Sequence, residues 1–224
     1  MLLLIKNVLD QRQLAEVQNL LKSAEFVDGK LSAGLEASAV KHNQELAPQS
    51  PLHRRLNAVV MGALVQNSHY QQAVLPLRVA TAFYARYEVG MGYGFHVDDP
   101  VMGPMAGRYR SDVSTTIFLN NVGDYEGGEL VIQTSFGEQR IKGNAGDAIV
   151  YPSSSWHKVD QIQAGTRLVA VTWAQSMVKD PNQRELLYQL AQAREGLIGK
   201  LPQSEETAKV STVYANLVRL WSEV

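Results

Sequence analysis

A chain of 224 residues has room for one domain with a sizeable core, or for one domain carrying a helical extension. Its 45% hydrophobic and 19% charged residues describe an ordinary globular protein, and a net charge of −1 with no basic run argues against a nucleic-acid binder that works by neutralising phosphates. There is no cysteine, which excludes disulfides, thiolate ligands and thiol nucleophiles and fits a reducing compartment, so cytoplasm is the expected location.

The apolar Met1-Leu-Leu-Leu-Ile5 is followed at once by a lysine and an asparagine and reads as a first strand rather than a leader. No stretch approaches the roughly 20 apolar residues of a membrane span. Asp10 with Gln13 three residues on has the pattern of a capping box, opening a helix to about Ala24 whose apolar face is Leu14, Val17, Leu20 and Leu21. The polar, Gly/Ser-containing segment from Phe26 to Gln49 reads as loop with short strand pieces. Ser50-Pro51 then opens a second helix to about Asn67, so two helices are expected before the sheet.

From Val79 to Ala174 the pattern changes to short alternating segments broken by glycine. Val79–Tyr87, Val113–Leu119, Glu129–Thr134, Gln139–Ile141, Ala148–Tyr151 and Arg167–Trp173 all read as strands. Many short strands without intervening helices predict a double-sheet, jelly-roll-like barrel within an α+β chain. Asp180-Pro181 starts a helix to about Glu195 and Ser204 starts another ending near Trp221. The stripe of Val210, Val213, Tyr214, Leu217, Val218 and Trp221 needs a cover, either the rest of the chain or, as a second reading, a homo-oligomer partner. The expected organisation is therefore 1–77 for the first strand and packing helices, 78–177 for the sheet core and 178–224 for the helical extension.

His96-Val97-Asp98 sits just after Gly90, Gly92 and Gly94, which are expected to break the preceding strand and leave the pair at a strand entrance. Residues i and i+2 of an extended strand project to one face, so an imidazole and a carboxylate can point at one ion. His157 follows the strand Ala148–Tyr151 and a Pro-Ser-Ser-Ser turn that can return it to the pair. Two imidazoles and one carboxylate leave half of a metal's coordination sphere open, the arrangement of a reactive centre. Arg167 starts a strand expected to run antiparallel to the one carrying His157. A buried arginine there needs an anion, from a structural salt bridge or from a bound carboxylate. His42, His53 and His69 have no carboxylate at ligand spacing and read as surface or packing residues. Gly90-Met-Gly-Tyr-Gly94 lacks the third glycine and the following helix of a nucleotide loop.

His96-x-Asp98, His157 and Arg167, with Gly127-Gly-Glu-Leu130 and Gly146-Asp-Ala-Ile-Val-Tyr-Pro152, resemble the prolyl-4-hydroxylase-type branch of the iron(II)/2-oxoglutarate-dependent dioxygenases. With Tyr93-Gly-Phe-His-Val-Asp-Asp-Pro100, Leu119-Asn-Asn121 and the helical tail included, the whole chain is similar to the bacterial PKHD-type hydroxylases. The resemblance implies a distorted double-stranded β-helix, Fe(2+) on His96, Asp98 and His157, and Arg167 on the distal carboxylate of 2-oxoglutarate. It also implies L-ascorbate as the agent that keeps iron reduced. The expected reaction consumes O2, converts 2-oxoglutarate to succinate and CO2, and hydroxylates an unactivated C–H bond of an unidentified substrate, prolyl or lysyl by family name or a small metabolite. A zinc hydrolase on the same triad and a non-catalytic metal-binding module are the alternatives; the first gives Arg167 no special task, and the second lacks an evident fourth protein ligand.

Tyr87 has two readings, a hydrogen-bond donor to the cosubstrate or an aromatic packed on the sheet. Phe118 stands where some animal prolyl hydroxylases carry a tyrosine. Trp156 and Trp173 flank the site in sequence and read as buried core aromatics. The segment 99–112 is a Gly/Pro-containing loop, expected to cover the metal as a substrate lid. Its Arg108, Tyr109 and Arg110 are either substrate contacts or a solvated tip.

Overall fold

Two antiparallel sheets face each other, and the site lies between them. In the computed structural model, which describes residues 1–32 and 34–224, the larger sheet has eight strands. Its order is Leu3–Ile5, Ala148–Pro152, Val113–Phe118, Arg167–Ser176, Phe83–Tyr87, Gln44–Leu46 and Phe26–Asp28, with Pro76–Val79 also paired to Arg167–Ser176. The smaller has five: Gly137–Ile141, Leu130–Thr134, His157–Val159, Gly92–His96 and Lys41–His42. This is the expected jelly-roll core.

The large sheet is covered on both faces, and its alternation sorts the residues. Tyr84, Val113, Ile117, Ala170 and Ala174 pack on the helices Gln11–Lys22, Leu52–Gln66 and Ser68–Val74 through Val17, Leu21, Leu56, Val60, Leu64 and Tyr70. Their neighbours Ala85, Tyr87, Phe118, Ile149, Tyr151 and Val169 point the other way and meet Leu130, Ile132 and Val159 of the small sheet. Each fully buried aliphatic side chain of this kind contributes roughly 1.5–3 kcal/mol.

The first helix has the expected capping box, with the Asp10 carboxylate accepting from Gln13 N and the Gln13 side chain accepting from Asp10 N, although it ends at Lys22. Two further helices were not legible. Leu35–Val40 lies in the segment expected to be loop, of which Ala33 falls outside the described residues. Ser68–Val74 follows directly on Leu52–Gln66, because Asn67 turns to extended backbone and its side chain accepts from Tyr70 N to start a new helix. The expected strand Val79–Tyr87 is two strands, Pro76–Val79 and Phe83–Tyr87. They are separated where Ala82 N donates to Asn57 Oδ1 and Ala80 O accepts from Thr172, so those groups leave the ladder.

Gly90, at φ +84°, does sit in the turn that ends the preceding strand, but Gly92 and Gly94 lie inside the next one, Gly92–His96, and the ligand pair sits at its exit, not its entrance. Gly94 is there for close approach, since a Cβ at that position would lie 2.8 Å from Val40 Cβ. Arg167 is also placed differently from expectation. Its strand runs between Val113–Phe118 and Phe83–Tyr87 in the large sheet, whereas His157 belongs to the small one, so the two face each other across the core and are not ladder neighbours.

The tail is two helices, Pro181–Lys200 and Glu205–Trp221, capped by Asp180 and Ser204. Tyr214, Leu217, Val218 and Trp221 pack against Leu75, Val178 and Leu187, so the chain itself covers most of the stripe. Val213 stays half exposed. Among the described residues no helix is long and apolar enough to cross a membrane.

Candidate active site

His96 ends one strand of the small sheet and His157 begins the next, and the register sets them opposite each other with ring centroids 4.2 Å apart. Each Nδ1 lies against the carbonyl oxygen two residues earlier, 2.8 Å from that of Gly94 for His96 and 2.9 Å from that of Ser155 for His157. A carbonyl only accepts, so the hydrogen resides on Nδ1 and the Nε2 lone pair is left free on both rings. Burial first, and then the neighbouring His157, push the His96 imidazole down to about 4, which keeps it neutral at physiological pH. The Tyr93 ring stacks on it at 3.7 Å between centroids.

Asp98 follows two residues beyond the end of the His96 strand. Its Oδ1 stands 3.9 Å from Nε2 of each histidine, and its Oδ2 accepts a hydrogen bond from the Ser114 hydroxyl, which is itself 2.8 Å from Ser153 Oγ. One donor atom from each of His96, Asp98 and His157 therefore falls within 4.8 Å of the others, and no second such group occurs among the described residues. The aim of the carboxylate is fixed by Ser114 of the facing sheet, which Ser153 in the turn beyond Ala148–Pro152 supports in its place.

Arg167 is 1% exposed, opposite Tyr87 in the ladder, with its guanidinium 5.0 Å from the Tyr87 ring centroid and 5.9 Å from that of Phe118. Its Nε and Nη1 have no hydrogen-bond partner, and no carboxylate pairs with it among the described residues. The structural salt bridge is therefore not what holds it. Gly128, at φ +67°, makes room: a Cβ there would lie 2.4 Å from Ile162 Cδ1 and 3.1 Å from Arg167 Cδ. Tyr87 is buried, with its hydroxyl pushed up by desolvation and eased back by Arg167.

Tyr87, Tyr93, His96, Asp98, His157 and Arg167 line one cavity of about 640 Å³. Segment 99–112 does cover it, as a hairpin of Val101–Met102 and Tyr109–Arg110 and not as an irregular loop. Within the hairpin only Tyr109 of the three candidates lines the cavity. Arg108 is exposed, and Arg110 is occupied by Asp112 at 2.6 Å and Glu223 at 3.7 Å. Trp173 also lines the cavity, edge-on to Phe83, but Trp156 is 49% exposed and stacks on Phe95, so it is not a core residue. His42, His53 and His69 lie outside the cavity, as expected.

Sequence reasoning missed a polar wall. Lys41, Asn43 and Glu45 are buried and line the cavity from the segment that crosses from the small sheet to the large one, Lys41 pairing with Glu45 at 2.6 Å and donating to Ser32 Oγ at 2.9 Å. The signal was an inward alternation of polar residues, which a search for apolar periodicity passes over.

Residues 82–175 match the family model of the 2OG-Fe(II) oxygenase superfamily, and residues 182–223 match the PKHD-type hydroxylase C-terminal domain. A PKHD-type hydroxylase of Thioalkalivibrio sulfidiphilus is 51% identical over 224 residues, the whole of both chains. This chain belongs to the PKHD-type hydroxylase family. A second relative, from Thermosynechococcus vestitus, is 44% identical, again over the full length of both. In fold, the hydroxylase is similar to a prolyl-4-hydroxylase of Pseudomonas putida, with a TM-score of 0.54 at 17% identity over 78% of this chain and 92% of that one. It is also similar to HygX of Streptomyces hygroscopicus, solved with nickel, 2-oxoglutarate and hygromycin B bound, with a TM-score of 0.55 at 12% identity over 80% and 84% of the two chains. The hydroxylase is thus a 2OG-Fe(II) oxygenase with a jelly-roll core, and the zinc hydrolase and the non-catalytic module lose their footing.

Proposed function

We propose that His96, Asp98 and His157 hold Fe(II), and that Arg167, assisted by the Tyr87 hydroxyl, holds the distal carboxylate of 2-oxoglutarate. The donor set fits the metal: two imidazoles whose Nδ1 atoms are engaged by backbone carbonyls, leaving Nε2 as the donor, and one carboxylate are the ligands of open ferrous sites. The buried, unpartnered Nε and Nη1 of Arg167 fit a carboxylate, and they are the single observation that carries the cosubstrate assignment. When bound, the iron with O2 and 2-oxoglutarate supplies oxidising power for hydroxylation of a C–H bond, with succinate and CO2 as co-products. The chain's own work is to aim the three donors, hold the keto-diacid at one end and exclude water. We assign ascorbate the part of keeping iron ferrous between turnovers. The cysteine-free composition supports a reducing cytoplasm as the setting. In this reading 78–177 carries the chemistry, while 1–77 and 178–224 support it.

The test is anaerobic titration of 2-oxoglutarate into Fe(II)-loaded protein, followed by visible absorption and calorimetry. Stoichiometric binding is expected; protein that takes up iron yet leaves 2-oxoglutarate in solution would overturn the assignment. Ser114→Ala should leave the fold intact by circular dichroism and weaken metal affinity by about 10- to 100-fold, the usual effect of removing a group that orients a ligand. Unchanged affinity would mean that the Ser114 contact does not aim Asp98.

A further inference from the structure

The cavity has a second arginine, and it lies at the opposite end from the first. The strand Arg167–Ser176 forms the floor, with Tyr87 paired opposite Arg167 and Arg78 paired opposite Gln175. The strand rise of about 3.3 Å per residue puts these two levels roughly 26 Å apart. Ser114, which holds Asp98, pairs opposite Trp173 between them. Arg167 is thus the inner cation and Arg78 the outer one, on the far side of the triad.

Arg78 lines the cavity, and its Nη1 donates to the carbonyl oxygens of Gly107 and Arg108 in the covering hairpin, both at 3.1 Å. Those bonds engage one nitrogen and fix the plane of the group. The Nε–Nη2 edge, two parallel N–H donors of the geometry that accepts a carboxylate, makes no hydrogen bond, and no carboxylate pairs with Arg78 among the described residues. Around this edge the cavity wall is apolar and aromatic, with Trp173 at the level of Ser114 and the Phe83–Val171 pair two residues further toward Arg167. Phe83, Val171 and Trp173 rise from the sheet, and Val101, Met102 and Tyr109 come down from the hairpin. Phe83 is 41% exposed and Val101 55% exposed, a large apolar surface to leave facing a cavity.

We propose that the substrate is an amphipathic carboxylate: its anionic group binds the Nε–Nη2 edge of Arg78, and its apolar chain or ring lies between the Phe83/Trp173 wall and the Met102/Tyr109 hairpin with a C–H bond toward the triad. This deepens the reading of the site given above and rests on it. The two arginines divide the labour, the inner one taking the keto-diacid and the outer one the substrate. Because Arg78 also holds the hairpin, an anion at its edge bridges sheet and cover. Asp99 also lines the cavity, with the opposite sign, so a cationic substrate is the competing chemistry.

The experiment uses the full chain loaded with Mn(II) and saturated with 2-oxoglutarate, titrated calorimetrically with three probes of one shape: 3-phenylpropanoate, its primary amide, and 3-phenylpropylamine. The acid should bind about 10-fold tighter than the amide, as a charge-assisted bidentate contact implies. Arg78→Gln should abolish that preference with 2-oxoglutarate affinity unchanged, and Arg78→Lys should restore part of it. Equal binding of acid and amide, strongest binding of the amine, a preference that survives Arg78→Gln, or no binding of any probe each overturns the proposal. So does an acid displaced by excess 2-oxoglutarate, because it has found Arg167 instead. Failure of 2-oxoglutarate itself to bind would be a different result, striking at the cosubstrate assignment.

Discussion

Asp98→Ala is expected to reduce hydroxylation to below about a thousandth of wild type, because a metal centre contributes several kcal/mol to its reaction and each 1.36 kcal/mol is a factor of ten. The structure gives the reason a partial loss is not expected. Imidazole ligands bring no charge to a metal, and Asp98 Oδ1, 3.9 Å from Nε2 of both histidines, belongs to the one carboxyl group among the three. Without it, two imidazoles face a dication alone. The loss should not be one of folding. Asp98 is nine-tenths buried on its side chain and among the described residues makes no ion pair with Lys or Arg, so its removal takes a desolvated carboxyl group out of the core. The apo variant should therefore melt no lower than apo wild type, while the rise in melting temperature that Fe(II) or Mn(II) gives the wild type should vanish. A variant that still gained stability from the metal and still formed succinate would show that the carboxylate is not a ligand.

Arg167→Met separates binding from stability in the opposite way. Truncating one member of a buried charge pair costs about 2–5 kcal/mol, so 2-oxoglutarate affinity should fall roughly 30- to 5000-fold. Yet in the absence of cosubstrate Arg167 is a buried cation with two unpartnered nitrogens, resting on the faces of Tyr87 and Phe118 with Tyr125 close by. Replacing such a group by an apolar side chain of similar length is neutral or stabilising, by about 1–4 kcal/mol in known cases. Apo Arg167→Met should melt at or above the wild-type temperature and gain nothing from 2-oxoglutarate. Arg167→Lys, which keeps charge but loses the planar fork, should bind with intermediate strength. A large destabilisation of the apo variant with unchanged cosubstrate affinity would return Arg167 to a structural role.

The chain disclosed its chemistry more readily than its wiring. Ala148–Pro152, Val113–Phe118 and Arg167–Ser176 were legible because β-branched runs bounded by glycine or polar turns leave little else for the backbone to do. His96, Asp98 and His157 were legible through their spacing, and Arg167 through the oddity of a cation heading an apolar strand. Which sheet each belongs to was not, since ladder partners are set by tertiary packing; that is why Arg167 was expected beside His157 and is found across from it. Short strands such as Tyr125–Gly127 and Lys41–His42 fell below any periodic signal. Ser114 and Ser153 also stayed hidden, because a serine inside a buried strand reads as packing until its distant acceptor is seen.

The strand order of the large sheet has a consequence for anyone trimming this protein to a minimal catalytic fragment. Both outermost strands, Leu3–Ile5 and Phe26–Asp28, come from the first thirty residues, one shielding the Ala148–Pro152 flank and the other, through Gln44–Leu46, the Phe83–Tyr87 flank. A piece beginning near residue 82 would retain the triad and lose both shields. Unpaired N–H and C=O groups along two five-residue strands would then recruit other copies, and such a fragment would precipitate rather than turn over.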